Sequence, residues 1–247
     1  MEKESTKIKV VTTTTHLGSI AAQIGKEKIE VIILVPGSMC PGHFDMEPVT
    51  MKKISRSKLL ISHSWEKWIE NLLAKIDNKN ILKKQISTQG NWMIPEVNVK
   101  AAAEVAGLFS ETDVLNKGYY QKNLKDYASK VEMLRKKIKT KTQYEGIKAL
   151  CSEQQKDFLL WLGLDIVKTY GRPEDLNIRE LANIMALAKK EKTRLVVDNL
   201  QSGANAGLQL AKDLKIKHVT LSNFPLEDSY FKTLENNIET IDKALNE

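Results

Sequence analysis

The chain has 247 residues, 42% of them apolar, with 12 Gly and 6 Pro, which suits one large domain or two smaller α/β lobes and excludes general disorder. Its net charge of +7 does not imply nucleic acid. The lysines are interleaved with acids throughout, and the one dense run (Arg135, Lys136, Lys137, Lys139, Lys141) ends a helical stretch, where cations suit the helix dipole.

No stretch approaches the ~20 uninterrupted apolar residues of a membrane span. The opening MEKESTKIKV is charged with no apolar core behind it, so it does not read as a signal peptide. An exported form is expected to have lost its leader already.

In chain order, Lys7 to Val11 is a β-rich run, followed by the polar turn Thr12-Thr13-Thr14-Thr15-His16 and a helix through Ile24. Val31 to Pro36 is a short buried-type strand ended by Pro36-Gly37. Met51 to Ser57 has helix character, and Lys58 to Ser62 is a third strand. From Trp65 to Ile76 the apolar positions 65, 68, 69, 72, 73 and 76 predict a helix.

A long amphipathic segment follows, with Leu124, Tyr127, Val131, Leu134 and Ile138 on one stripe. From Asp113 to Lys139 it would extend ~40 Å, more than a crossover helix normally needs, and a helix joining two lobes is expected. The second half repeats the theme. Ile147 to Cys151, Asp165 to Tyr170, Arg194 to Asn199 and His218 to Ser222 read as strands, with helices through Leu162 and over Leu176 to Lys190. Strands alternating with helices predict parallel sheets.

These features together resemble the zinc/manganese class of ABC-importer solute-binding proteins. The residues that carry the likeness are Val10-Val11-Thr12-Thr13, Gly25 to Val31, Leu34-Val35-Pro36 and Pro41 to Pro48 with His43 and Glu47 inside it. Further along they are Met51 to Ile54, Ser57 to Ile61, Trp65 to Leu73, Trp92-Met93-Ile94-Pro95, Lys148 to Gly163, Tyr170-Gly171 and Leu195 to Gln201. The resemblance implies two α/β lobes with mainly parallel sheets flanked by helices, joined by one long backbone helix. The expected boundaries are 1–112, 113–140 and 141–247.

That family holds its ion with three histidines and a carboxylate. The resemblance puts the first histidine at His43, followed by Glu47, and the second at Gly90. The third falls at Cys151 or Ser152, and the carboxylate near Ser222 or Asn223. At most two of the four survive in recognisable form.

Ligands of open α/β sheets gather beyond the carboxyl ends of strands. Five segments follow such ends here: Thr12 to His16, Met39 to Glu47, His63 to Trp65, Cys151 to Gln155 and Asp198 to Ser202. The expected metal ligands are His43, Cys40, Cys151 and His16, a softer donor set than histidine and carboxylate alone. Cys40 and Cys151 as a disulfide or as packed thiols stay open. Glu47 is expected to orient a ligand, and Asp198, Gln201, Met93 and Trp92 to line the cleft. Ser202 suits a helix cap, His63 closes a strand, and His218 is structural.

The expected function is that of an extracytoplasmic solute-binding protein, lipid-anchored and monomeric, rather than an enzyme. Its cargo would be a transition-metal ion, zinc by family or a softer ion such as copper, or a metal complex, captured between the lobes and passed to an ABC permease. Two rivals remain: an interaction protein on the same fold without the metal site, and a catalyst using Cys40, His43 and Asp198. No GxSxG elbow, P-loop or dinucleotide fingerprint supports the latter.

Overall fold

The computed structural model describes residues 7–41, 48–74, 80–172, 176–203, 205–227 and 229–246. The chain forms two compact units, Met1–Met133 with Phe224–Tyr230, and Leu134–Asn223 with Phe231–Glu247. Each is an α/β lobe on a four-stranded, all-parallel sheet.

The first lobe alternates β1 (Ile8–Thr12), α1 (Thr15–Gly25), β2 (Ile29–Ile33), α2 (Pro48–Ser55), β3 (Leu59–His63), α3 (Trp68–Leu73) and β4 (Leu82–Ile86). Strand order is β2-β1-β3-β4, with Val10 paired to Val31 on one side and Leu59 on the other. The central strands β1 and β3 are covered on both faces, which is why they read as nearly unbroken apolar runs. On one face Val11, Leu34, Val35, Ile54, Leu60, Ile69 and Ile81 form a core. Elsewhere in this lobe α1 packs against α4 (Pro95–Thr112), and α1 buries Leu17, Ile20, Ala21 and Ile24 completely.

The second lobe contains β5 (Lys148–Ser152), α6 (Lys156–Leu162), β6 (Asp165–Tyr170), α7 (Ile178–Lys190), β7 (Leu195–Asn199), α8 (Asn205–Leu214), β8 (Lys217–Leu221) and α9 (Tyr230–Asn246). Its order, β6-β5-β7-β8, repeats that of the first. Leu150, Tyr170, Ile184, Ala188, Val196, Leu210 and Ala211 make its core. Asn177 caps α7 by accepting from the Glu180 amide at 2.9 Å.

The long helix, α5 (Lys117–Lys141), begins in the first lobe and ends in the second. Tyr127, Val131, Leu134 and Ile138 of the expected stripe are buried. It starts later than expected because Asp113 is spent elsewhere: its carboxylate accepts from Asn116 Nδ2 at 2.8 Å and Tyr120 Oη at 2.7 Å, closing the α4–α5 junction.

Other expectations shift similarly. The helix expected from Trp65 starts at Trp68, since Trp65 is 51% exposed while Glu66 is buried in a turn; Ile76 lies outside the described residues. Strand β2 runs Ile29–Ile33, although the Leu34 and Val35 amides still bond to the Thr12 and Thr13 carbonyls.

Candidate functional site

In the first lobe the polar groups gather where β1 and β3, adjacent central strands, end side by side. Thr14 caps α1, its Oγ1 accepting from the Leu17 amide at 3.5 Å. The same hydroxyl lies 2.8 Å from His63 Nε2, at the last residue of β3. Beyond β3 the chain turns back on Glu66, whose Oε2 accepts from the His63 amide at 2.8 Å and from Thr13 Oγ1 at 2.5 Å. One buried carboxylate oxygen thus ties the two strand ends together. Burial raises the Glu66 pKa, and those two hydrogen bonds pull it back.

Aromatic rings surround the imidazoles. The His63 ring centroid lies 4.4 Å from that of Trp92 and 5.1 Å from that of Trp65, the latter stacked at 26°. His16 lies on Trp92 at 5.7 Å and on Phe224 at 5.2 Å. Trp92 is fixed by its indole, which donates to the Thr88 carbonyl at 3.2 Å, and by its carbonyl, which accepts from Asn98 Nδ2 at 3.2 Å.

His63 Nδ1 is buried and has no hydrogen-bond partner among the described residues. Desolvation, with the charge of nearby His16, pushes the His63 pKa down to about 3. Its imidazole is therefore neutral at pH 7, the form that binds metals.

In the second lobe the strand-end groups are turned inward. Asp198, 1% exposed, accepts from Tyr170 Oη at 2.8 Å and the Gly207 amide at 3.3 Å, and lies 2.7 Å from His218 Nε2. Gln201 donates to Ser222 Oγ at 2.9 Å and accepts from the Asn223 amide at 3.0 Å. Asn237 completes the clamp, accepting from the Ser222 amide at 3.0 Å and donating to its carbonyl at 2.8 Å. Ser202 Oγ accepts from Asn199 Nδ2 at 2.8 Å within a 3-10 turn.

Cys151 is fully buried in β5, and desolvation pushes its thiol up to about 12, which favours the neutral thiol at neutral pH in the metal-free protein.

Of the residues singled out from sequence, His16 and Trp92 belong to the first-lobe cluster. Met93 is wholly buried, and its carbonyl accepts from Tyr230 Oη at 3.1 Å. Asp198 and Gln201 lie in the second-lobe networks, while His43 and Glu47 fall outside the described residues. Cys40 is half-buried, and it forms no disulfide with Cys151, which corrects that option. At Gly90 the backbone has φ +101°, a region that disfavours the histidine the resemblance would place there. No group of three His, Cys, Asp or Glu side chains able to hold a metal occurs among the described residues.

From sequence, Thr12 to His16 and His63 to Trp65 are placed at strand ends and His63 closes a strand, as it does in β3, but none of His63, Trp65, Glu66, Thr13 or Thr14 is named as a site residue. A histidine ending a buried strand, followed by Ser-Trp-Glu, was the available signal.

The family model for zinc-uptake complex component A, periplasmic, matches residues 10–244. A manganese ABC transporter substrate-binding lipoprotein, PsaA of Streptococcus mitis, is 28% identical over 160 residues, covering 55% of this chain and 52% of that protein. The metal ABC transporter substrate-binding lipoprotein ScbA of Streptococcus cristatus is 29% identical over 165 residues, covering 57% and 53%. The chain thus spans about half the length of these curated relatives in the matched region.

Among solved structures, a crystal structure of ZnuA superposes with a TM-score of 0.82 at 18% identity, covering 96% of this chain and 99% of that one. FpvC of P. aeruginosa in complex with Ni2+ gives 0.80 at 15% identity, covering 97% of each. These likenesses establish the fold.

Proposed function

Because this chain belongs to the family of zinc-uptake complex component A, periplasmic, we propose that it is the substrate-binding protein of a metal ABC transporter, delivering a transition-metal cargo to a membrane permease. The observation that carries the reading is the extent of the family match, residues 10–244, which takes in the strand ends of both lobes. The first-lobe geometry supports it chemically, with two imidazoles, the neutral His63 and His16, both against the Trp92 ring.

Imidazole donors suit zinc, nickel, copper and iron over the harder ions. Zinc is in the family's name, while PsaA carries manganese in its name, ScbA only metal, and FpvC was solved with nickel. His16, His43 and Cys40 are the proposed cargo ligands, with Glu47 orienting His43. Cys151 joins them only if it ionises, which its burial opposes. As a receptor the protein acts outside the cytoplasm, held by a lipid anchor as the relatives' description as lipoproteins suggests, and performs no chemistry on its cargo.

A second reading, an interaction protein on the receptor fold, is favoured by Gly90 at φ +101° and by the clamped Ser222, which occupy two of the family's ligand positions. Titrating the full chain with Zn(II), Ni(II), Mn(II) and Cu(I) separates the two. Trp65 and Trp92 beside His63 make tryptophan fluorescence the readout. Saturable equimolar binding, weakened roughly tenfold or more in His16→Ala or His43→Ala, is expected. Absence of saturable binding for every ion would leave the interaction protein.

A further inference from the structure

We infer that the outer edge of β2 is a docking site for an extended, acidic segment of a partner protein, which adds to the four-stranded sheet of the first lobe as a further strand. The cations beside that edge, on and just after α2, hold the segment's carboxylates. This partner surface is independent of the cargo that the protein carries.

β2 ends the order β2-β1-β3-β4, so one of its sides has no neighbouring strand among the described residues. An edge of that kind directs alternate backbone amides and carbonyls outward, and proteins commonly blunt it with lysine. The other three edge strands follow that practice, with Lys83 and Lys84 in β4, Lys168 in β6 and Lys217 in β8. β2 reads Ile-Glu-Val-Ile-Ile and has no cation of its own. Its Val31, Ile32 and Ile33 are only partly buried. Such an edge, left open, invites pairing with another chain.

The charge beside β2 says what fits there. A groove of about 560 Å³ runs along the strand on its α2 side, where Ile32 packs on the core of Val11, Leu34 and Ile54. Lys52, Lys53 and Arg56 form one wall, and Lys9 of β1 adds a fourth cation. The one carboxylate in the lining, Glu30, is already engaged by Lys9 at 3.8 Å. Lys52, Lys53 and Arg56 are exposed and hold no ion pair among the described residues. A second copy of the chain, pairing β2 to β2, would bring two sets of like charges to one joint, which strand pairing disfavours. An acidic strand instead lays its backbone on the edge and turns alternate side chains toward the three α2-side cations, because strand side chains point to opposite faces with period two.

The test uses the full chain and three capped heptapeptides: alternating Glu–Val, alternating Lys–Val, and the Glu–Val sequence N-methylated at two adjacent central residues. The last keeps its charge, but one blocked amide faces β2 whichever way the segment runs. Calorimetry at low salt is expected to show saturable equimolar binding of the Glu–Val peptide, roughly tenfold or more tighter than either control. Hydrogen exchange should slow at the amides of Ile29–Ile33 when it is bound. The triple variant Lys52→Gln, Lys53→Gln, Arg56→Gln changes exposed side chains only, and it should weaken that binding roughly tenfold through the loss of three charge pairs.

Equal binding of the N-methylated peptide overturns the inference, since charge alone then suffices. Equal binding of the Lys–Val peptide, or an unchanged affinity in the triple variant, overturns it as well. A dimer of the chain in sedimentation that the Glu–Val peptide disperses assigns the edge to a second copy and also overturns it. So does the absence of peptide binding, including the case in which vesicles of phosphatidylcholine with phosphatidylserine bind and claim the cations for a lipid surface.

Discussion

A proton on His63 meets low-dielectric surroundings and the neighbouring His16, and both hold its folded-state pKa near 3, against 6.5 for an ordinary imidazole. Between those values the unfolded chain binds the proton and the folded chain does not. Stability is therefore complete above about pH 6.5 and declines as pH falls toward 3, by up to about 1.4 kcal/mol per pH unit from this group. Urea unfolding of the metal-free protein across that range should show the slope, and His63→Gln should flatten it. An unchanged slope in the variant would assign the acid sensitivity to other groups.

Cys151 makes the opposite forecast at the alkaline side. With its thiol buried and pushed up to about 12, a Cys40→Ser protein should not react with a disulfide reagent at pH 8 until denaturant is added. Rapid native labelling would show that β5 opens. Sequence could place His63 at a strand end but could not show its surroundings, because Thr14 and Trp92 reach it from other segments of the chain. Cys151 was equally ambiguous, since burial and ligation look alike in the letters Leu-Cys-Ser.

Among elements, the Asp198 network in the second lobe depends on a close approach. A Cβ added at Gly207 would lie 2.3 Å from Tyr170 Oη and 2.4 Å from Asp198 Oδ2. Gly207→Ala is expected to cost about 1–3 kcal/mol through overcrowding. Tyr170→Phe, which removes one donor to Asp198, should cost about 1 kcal/mol. The double variant should cost less than the sum, because the phenyl ring lacks the oxygen that Cβ meets. Strict additivity in urea unfolding would contradict this coupling.

Elements whose apolar pattern is set by burial were plain from sequence. The β6 range was read as Asp165 to Tyr170, and β5, β7 and β8 to within a residue at each end. β4 was not, because an edge strand exposes Leu82, Lys83, Lys84 and Gln85 and so loses its apolar run. α4 was also missed: its buried face is mostly small, Ala101, Ala102 and Ala106 beside Val105 and Phe109, which makes a faint stripe. The start of α3 was misread because the Glu66 turn interrupts an apolar spacing that otherwise suits a helix.

For the molecule as a whole, α5 belongs to both units, with the boundary between Met133 and Leu134. Met133 is 69% exposed, so replacing it alters backbone rather than core. Met133→Pro should cost about 3 kcal/mol or more by breaking the helix where the units share it, while Met133→Ala should be nearly silent. Equal unfolding midpoints for the two variants would show that α5 need not be continuous there. The stripe of α5 and the repeated strand–helix alternation made the two-lobe plan readable. The assignment of Phe224–Tyr230 to the first unit was invisible, because nothing in those letters marks a return.

That return governs how the protein can be taken apart. A gene fragment ending at Met133 would lack the Phe224 ring on His16, the Tyr230 amide bonded to Ser19 Oγ at 3.4 Å and the Tyr230 hydroxyl bonded to the Met93 carbonyl. A chimaera that exchanges the second lobe must therefore resume the native sequence at Phe224 and keep it through Tyr230. Splicing at one joint would place a foreign heptapeptide against His16.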